Sequence, residues 1–154
     1  DNIVGVFKGT LETHHISIET EVDEAMMVIC DEVKMGQVFF NFINNAITHV
    51  GEDRTIWIKA IHKKDKIRIE VIDHGVGIKQ SELPYIWDRY YKIDKNFTRS
   101  DTGSGLGLAI AKSICLAHKV PFGAISTEKQ GSTFFVELPI EIKDQEGDYA
   151  SNMD

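Results

Sequence analysis

The sequence predicts an α+β fold: a two-layer α/β sandwich in which one mixed, mostly antiparallel sheet is covered on one face by helices. Strand patterns occur in hairpin pairs, and helix patterns separate these pairs. The sequence does not show the regular alternation of single strands and helices that produces a parallel, doubly wound sheet. With 154 residues, of which 42% are hydrophobic and 27% charged, the chain can form one soluble domain but not two ordinary ones.

The first half of the chain contains two strand patterns and one long helix pattern. Residues 14–22 alternate apolar and polar side chains, which predicts a half-buried strand, and the short apolar run 26–31 predicts a neighbouring strand. Residues 31–50 carry apolar side chains every three or four positions, as one face of a helix requires. We expect Gly51 to cap the end of this helix.

The rest of the chain contains two further strand pairs. Residues 55–63 and 66–73 both alternate and predict a hairpin, whereas 105–119 predicts a second long helix. The segments 122–128 and 132–140 predict a final pair of strands. We therefore assign residues 1–140 to one domain and interpret the acidic residues 141–154 as a flexible tail.

Charge and composition exclude several classes of function. The net charge of −7 does not fit a nucleic-acid-binding surface, and no apolar run approaches the roughly 20 residues of a membrane span. The chain begins with neither a methionine nor a signal peptide, and we interpret it as a piece of a longer protein. Cys30 and Cys115 lack a Cys-x-x-Cys spacing, and we expect both to be buried free thiols in a reducing cytosol.

A long irregular segment, 79–102, separates the middle hairpin from the second helix, with at most short helices in it. Such long loops are functional or disordered, and disordered linkers rarely hold many aromatic residues. This one contains Tyr85, Trp87, Tyr90, Tyr91 and Phe97, together with the cations Lys92, Lys95 and Arg99. It predicts a lid, at about 79–104, that orders over a ligand or docks a partner.

The first helix carries an unusual stripe of polar side chains. Asn41, Asn45 and Thr48 are spaced by four and three residues and share one face, with His49 beside them. Amide oxygens suit a hard cation such as Mg²⁺ together with phosphate oxygens and water. A solvated polar face is the alternative interpretation.

A carboxylate and two glycines follow the middle hairpin. Asp73 ends an alternating strand and is followed by Gly75 and Gly77. An ordinary strand-ending turn would have the same composition. The functional interpretation is that the carboxylate accepts a hydrogen bond from an amino group of a ligand, while the glycines let the backbone lie flat beside it.

The third motif is GSGLGLAI at 103–110, a glycine-rich turn that leads into a helix. It lacks the third glycine of the dinucleotide fingerprint and the Lys-Ser/Thr of a P-loop. Free amide groups and the helix dipole at such a position favour phosphate. A purely structural turn is the alternative interpretation.

These motifs, in this order, resemble the catalytic ATP-binding domain of two-component sensor histidine kinases. That family belongs to a superfamily shared with gyrase, heat-shock chaperone and mismatch-repair ATPases. The resemblance covers about residues 10–140. The matching segments are the asparagine box QVFFNFINNAITHV, the first glycine box DHGVGI, the phenylalanine box YIWDRYYKID, the second glycine box GSGLGLAI and the closing GSTFFVELP.

The resemblance implies a role for each matching residue. Asn45 would coordinate Mg²⁺, and Asn41 would support the metal–phosphate network as a catalytic residue. Asp73 would accept a hydrogen bond from the adenine amino group. The remaining nucleotide-binding residues would be His49, Gly75, Gly77, Ile78, Tyr91, Lys92 (also catalytic), Gly103, Ser104, Gly105, Leu106, Gly107, Leu108 and Thr133.

The chain departs from the family pattern at five positions. Thr48 stands where a Lys or Arg that reaches the phosphates is frequent, and His49 replaces the usual Tyr. Lys92 takes the place of a usual arginine. In the phenylalanine box, Trp87 and Tyr90 occupy positions where Phe is common, which keeps the aromatic character. The loss of a cation at Thr48 predicts a lower affinity for phosphate.

The implied function is to bind Mg-ATP and present its γ-phosphate to a histidine on a separate upstream dimerisation domain. None of the six histidines lies in the His-Glu/Asp-x-x-x-Pro context of that acceptor. The implied partners are this domain and a downstream response regulator. We expect a cytoplasmic location for this part and a membrane-attached parent protein, with no nucleic acid and no direct membrane contact by this part.

Three alternatives remain. An ATP hydrolase of the same superfamily would carry Glu at the position of Asn41, and an amide cannot take a proton from water. A free-standing serine kinase of the anti-sigma-factor type has a similar asparagine box. A degenerate module would bind nucleotide without transferring phosphate, and Thr48 is the residue that favours it.

Overall fold

The computed structural model describes residues 2–91 and 105–141. The chain begins with two short helices, then alternates strands with two longer helices. In chain order the elements are α1 (Asn2–Val6), α2 (Lys8–Thr13), β1 (Ser17–Glu21), α3 (Glu32–Thr48), β2 (Thr55–Lys63), β3 (Lys66–Asp73), a 3₁₀ turn (Leu83–Tyr85), α4 (Gly107–Ala117), β4 (Phe122–Thr127) and β5 (Gly131–Pro139).

The described strands form one five-stranded sheet in the order β1-β2-β3-β5-β4. β1 pairs with β2 in parallel, and the other neighbours are antiparallel. α3 and α4 pack together on one face of this sheet. The predicted two-layer α+β sandwich with a mixed, mostly antiparallel sheet is confirmed.

The core lies between the helices and the sheet. Along β3 and β5, Val71 faces the helices directly opposite Phe134, and Phe134 packs against Phe42 of α3 with ring centroids 5.5 Å apart. α3 starts where the side chain of Asp31 accepts a hydrogen bond from the amide of Lys34, an N-cap that satisfies one free amide group. This packing fixes α3 along the sheet and so sets the position of its polar stripe.

The predicted strand at 26–31 is wrong. Val28 makes only an isolated bridge to Ile140, beyond the end of β5, and no ladder forms around it. Because this segment does not lie in the sheet, Cys30 is exposed rather than buried. Cys115 on α4 is buried, as predicted, and both cysteines are free thiols.

The predicted cap at Gly51 is also wrong. α3 ends at Thr48, and His49 is the C-cap residue, with its amide bonded to carbonyls of the last turn. A β-carbon on Gly51 would lie 2.0 Å from the carbonyl oxygen of His74. The glycine is therefore required by the close approach of two backbone segments and not by the helix end.

The two N-terminal helices were not predicted. They cover one flank of α3, where the ring of Phe7 stacks on Phe40 with centroids 4.9 Å apart. The remaining predicted helices and strands agree with the structure to within a few residues at each end, and 79–91 is irregular apart from the 3₁₀ turn. Across the described residues, no helix combines the length and hydropathy needed to cross a membrane.

Candidate functional site

Three of the predicted motifs meet at one end of the sandwich. The side-chain oxygen of Asn41 on α3 faces Gly107 at the start of α4, where a β-carbon would lie 3.1 Å from that oxygen. The carbonyl of His49, just beyond α3, lies against Gly75 after β3. The second half of α3 therefore lies between the end of β3 and the N-terminus of α4, which brings together segments far apart in sequence.

Asp73 is the most deeply buried polar residue of this region, with 2% of its surface exposed. One carboxylate oxygen accepts a hydrogen bond from the amide of Gly75 at 2.9 Å, and the amide of Ser132 also bonds the carboxyl group. Burial outweighs these bonds and raises the pKa of Asp73 to about 6. A buried carboxylate with remaining lone pairs can accept an N–H group of a ligand.

The glycines after Asp73 have a structural reason that the sequence did not reveal. A β-carbon on Gly75 would lie 1.8 Å from the carbonyl oxygen of His49. One on Gly77, whose φ is +69°, would lie 2.1 Å from the carbonyl oxygen of Thr127. Both glycines therefore let protein backbone approach protein backbone. Ile78, which follows them, is buried in the core.

The polar stripe of α3 changes in exposure along the helix. Asn41 and Asn45 are half-buried, whereas Thr48 and His49 are exposed. The amide nitrogen of Asn41 is buried and has no hydrogen-bond partner among the described residues. The hydroxyl of Thr48 donates to the carbonyl of Asn44 at 3.0 Å. A buried donor without a partner costs about 1–3 kcal/mol. A ligand that accepts a hydrogen bond from the Asn41 amide would remove this cost.

The glycine-rich turn before α4 is held by the aromatic segment. The amide of Tyr90 donates to the carbonyl of Gly105 at 2.8 Å, and a β-carbon on Gly105 would lie 2.8 Å from the Tyr90 α-carbon. Leu106 is the N-cap residue of α4, Gly107 begins the helix, and Leu108 packs against the core. The predicted site residues Lys92, Gly103 and Ser104 lie outside the described residues.

The aromatic residues of the predicted lid divide into two groups. Trp87 is half-buried and makes edge contacts with Phe42, Phe122 and Phe134 at centroid distances of 5.1–6.3 Å. Tyr90, by contrast, is 71% exposed. Tyr91 is half-buried, with its ring 6.2 Å from that of Tyr85. The first part of the predicted lid is thus anchored to the core. The rest of the predicted lid, which includes Phe97, Lys92, Lys95 and Arg99, lies outside the described residues.

Thr133 does not lie beside Asp73. In the ladder between β3 and β5, Thr133 is opposite Ile72, on the face of the sheet away from Asp73, whereas Ser132 is opposite Asp73. The sequence contained the signal for Ser132, because the Gly-Ser/Thr-x-Phe ending starts at Gly131 and places its hydroxyl at the next position. We therefore replace Thr133 by Ser132 in the candidate site.

Ser126 on β4 was missed altogether, and no sequence motif marks it. It is 4% exposed, and its hydroxyl lies 2.9 Å from that of Ser132. It also accepts a hydrogen bond from the amide of Ile78 at 2.8 Å. The serine thus connects the loop after β3 to the turn between β4 and β5.

The residues available for a metal are amides rather than a charged cluster. Over the ranges 2–91 and 105–141, no group of three or more His, Cys, Asp or Glu side chains is placed to hold a metal ion. The half-buried amide of Asn45 lies one helical turn after Asn41. A single amide oxygen fits a Mg²⁺ ion that keeps water and phosphate as its other ligands.

The segment that contains these site residues is similar in sequence to known proteins. Residues 30–142 match the family model described as histidine kinase-, DNA gyrase B- and HSP90-like ATPase. A protein named sensor protein kinase WalK from Staphylococcus saprophyticus is 38% identical over 128 residues. This match covers 82% of the chain but only 21% of the relative, so the chain spans about a fifth of that protein's length.

Solved structures of other proteins have a similar fold. The catalytic domain of the histidine kinase ThkA is similar with a TM-score of 0.72 and 26% identity, covering 90% of this chain and 88% of that one. Full-length ShkA, solved in complex with AMPPNP, has a TM-score of 0.76 at 22% identity, over 90% of this chain and 28% of ShkA. The second likeness shows the fold alone.

Proposed function

Because the chain belongs to the histidine kinase-, DNA gyrase B- and HSP90-like ATPase family, as a histidine kinase ATP-binding domain, we propose that it binds Mg-ATP and presents the γ-phosphate to a histidine. The acceptor histidine would lie on a separate dimerisation domain of the same parent protein. The phosphoryl group would then pass to a response regulator. The chain would act in the cytoplasm, as part of a parent protein attached to the membrane.

The observation that carries this proposal is the amide of Asn41. Its nitrogen is buried without a partner among the described residues, while its oxygen faces the first residue of α4. Helix N-termini favour phosphate because their first amide groups are free and the dipole is positive there. The side-chain amide of Asn41 lies beside this helix N-terminus, and its nitrogen would add a donor for a phosphate oxygen bound there.

Asp73 would select the base. Its buried carboxylate can only accept hydrogen bonds when ionised, which suits the exocyclic amino group of adenine. Ser132, opposite Asp73 in the ladder, would complete this end of the pocket. Gly75, Gly77 and Ile78 would hold the loop that shapes it, and Tyr91 would flank the nucleotide.

The phosphate end would use backbone groups and a few side chains. Asn45 would hold Mg²⁺, which when bound neutralises charge on the phosphate oxygens. The backbone amides from Gly103 to Leu108 would surround the phosphates. Lys92 would lie near the terminal phosphate, and His49, just beyond α3, would be a further nucleotide-binding residue. Catalysis of this kind depends on position and electrostatics.

Hydrolysis of ATP is not favoured by this site. Asn41 occupies the position of the water-activating Glu in the related hydrolases, and an amide cannot accept a proton from water. The named relative is a sensor kinase rather than a serine kinase of the anti-sigma-factor type. We therefore propose phosphoryl transfer to histidine over both alternatives.

Calorimetric titration with ATP, with Mg²⁺ and with EDTA, tests binding. We expect Mg²⁺ to strengthen binding and Asn41→Ala to weaken it about tenfold to a hundredfold, since a hydrogen bond to a charged group contributes about 1.5–3 kcal/mol. Asn44→Ala is the matched control, because Asn44 lies on the same helix, is half-buried and is not among the residues assigned to the site. Equal losses in both variants, or no binding, would contradict the proposal.

Transfer needs a separate measurement. The chain is mixed with the dimerisation domain of a WalK-type kinase and ATP labelled at the γ-phosphate. We expect an acid-labile, alkali-stable phosphoprotein, as phosphohistidine requires. Binding of ATP without any labelling would favour the degenerate module, and acid-stable labelling would favour a serine kinase.

A further inference from the structure

The structure points to Ser126 as a positioning residue of the base site. We infer that its hydroxyl fixes the Ser132 hydroxyl as a hydrogen-bond acceptor beside Asp73, and that this orientation contributes to the choice of a 6-amino over a 6-oxo purine. The inference rests on the proposed binding of ATP. Neither the family match nor the sequence motifs assign a role to Ser126.

Three hydrogen bonds surround the Ser126 hydroxyl. Its oxygen accepts from the amide of Ile78 at 2.8 Å and lies 2.8 Å from the carbonyl oxygen of Gly131. It also lies 2.9 Å from the hydroxyl oxygen of Ser132. Both serines are buried, with 4% and 7% of their surfaces exposed, so water is not a ready substitute for these partners.

Counting protons fixes the direction of each bond. A serine hydroxyl has one proton and two lone pairs. The carbonyl of Gly131 can only accept, so the Ser126 proton points to it, while one Ser126 lone pair receives the amide of Ile78. The second lone pair of Ser126 must then receive the proton of Ser132. Ser132 has donated its only proton and keeps two lone pairs.

Ser132 can therefore only accept at its remaining positions. It is opposite Asp73 on the helix-facing side of the sheet, so the base end of the site presents two acceptors side by side. A 6-amino purine offers a donor to them, whereas a 6-oxo purine offers another acceptor and is disfavoured. Without Ser126, the Ser132 hydroxyl could rotate and donate its proton to a 6-oxo group.

The test compares the affinities of the full chain for ATP and for inosine triphosphate, by displacement of a fluorescent ATP analogue. Wild type should prefer ATP. We expect Ser126→Ala to lower the ATP-to-inosine-triphosphate affinity ratio about fivefold, the size of one neutral hydrogen bond. Ser126→Thr keeps the hydroxyl and should keep the wild-type ratio. A merely structural defect would weaken both nucleotides together and leave the ratio unchanged.

A double-mutant cycle tests whether Ser126 acts through Ser132. In a Ser132→Ala background, Ser126→Ala should leave the ratio unchanged. A ratio that does not move in Ser126→Ala, or that moves equally in both backgrounds, would overturn the inference while ATP binding itself stands. If the wild-type chain does not bind ATP, both the proposed function and this inference are wrong. The two failures are therefore distinguishable.

Discussion

The side-chain oxygen of Asn41 lies against the first residue of α4, Gly107, with 3.1 Å between that oxygen and the place where a β-carbon would be. This contact joins the middle of one helix to the N-terminus of another. The nitrogen of the same amide is buried and has no hydrogen-bond partner among the described residues. The absence of a side chain at Gly107 thus leaves room for the Asn41 amide in its present orientation.

Gly107→Ala should therefore weaken ATP binding without unfolding the domain. The added methyl would move the Asn41 amide by a few tenths of an ångström, while alanine itself suits a helix. We expect ATP affinity to fall about threefold to tenfold, with a change below about 1 kcal/mol in the free energy of unfolding. Calorimetry and urea unfolding measure the two quantities.

Gly9→Ala is the matched control, since Gly9 also lies in a helix and a β-carbon there meets nothing within 4 Å. It should leave ATP affinity unchanged. If Gly107→Ala binds ATP as wild type does, the orientation of Asn41 does not depend on this contact.

Asp73→Asn should weaken ATP binding and stabilise the fold at neutral pH. Burial raises the native pKa of Asp73 to about 6, above its usual 3.8. The native state therefore binds more protons than the unfolded state between these values, and stability falls as the pH rises through them. Asparagine removes this cost, so the variant should be more stable by up to about 3 kcal/mol at pH 7.5.

Urea unfolding at two pH values checks the sign. The advantage of Asp73→Asn over wild type should grow by about 1 kcal/mol between about pH 5 and about pH 7.5, because wild-type Asp73 ionises over this window. An advantage that does not depend on pH, or a less stable variant, would mean that the buried carboxyl does not titrate near 6.

The sequence predicted the two longer helices, α3 and α4, and the two hairpins β2–β3 and β4–β5 because each has a clear hydrophobic period, but it missed the short helices α1 and α2. It failed at 26–31, where a short apolar run had no period to separate a strand from an isolated bridge. The prediction that Gly51 caps a helix was also wrong. The close approach of Gly51 to His74 joins segments more than twenty positions apart, and a local pattern cannot reveal such a contact.

Only those residues of the candidate site that belong to local sequence motifs could be predicted. Asn41 and Asp73 were found because the polar stripe and the strand end are local features. Thr133 was assigned where the ladder register favours Ser132, since strand neighbours alternate between faces. Ser126 matters only through contacts made across the sheet edge, which no spacing in the sequence encodes.

Gly75→Ala distinguishes two reasons for the first glycine after Asp73. A β-carbon there would lie 1.8 Å from the backbone oxygen of His49, which cannot move aside as a flexible side chain could. We expect the free energy of unfolding to fall by about 2–4 kcal/mol. Gly5→Ala, in α1 with open space around it, should not lower it and should raise it by up to about 1 kcal/mol, since alanine is favoured over glycine in a helix. Normal stability with lost ATP binding would instead assign Gly75 to ligand contact.

Trp87→Ala should destabilise the whole domain, although its residue lies in the predicted lid. The indole contacts three core phenylalanines, Phe42, Phe122 and Phe134, so its removal leaves a cavity and costs about 2–4 kcal/mol. Tyr90→Ala, three residues later, removes a side chain that is 71% exposed and should cost less than about 1 kcal/mol. Thermal unfolding compares the two. Equal melting temperatures would mean that the segment around Trp87 detaches without loss of the core, and that the lid begins earlier than its anchored part indicates.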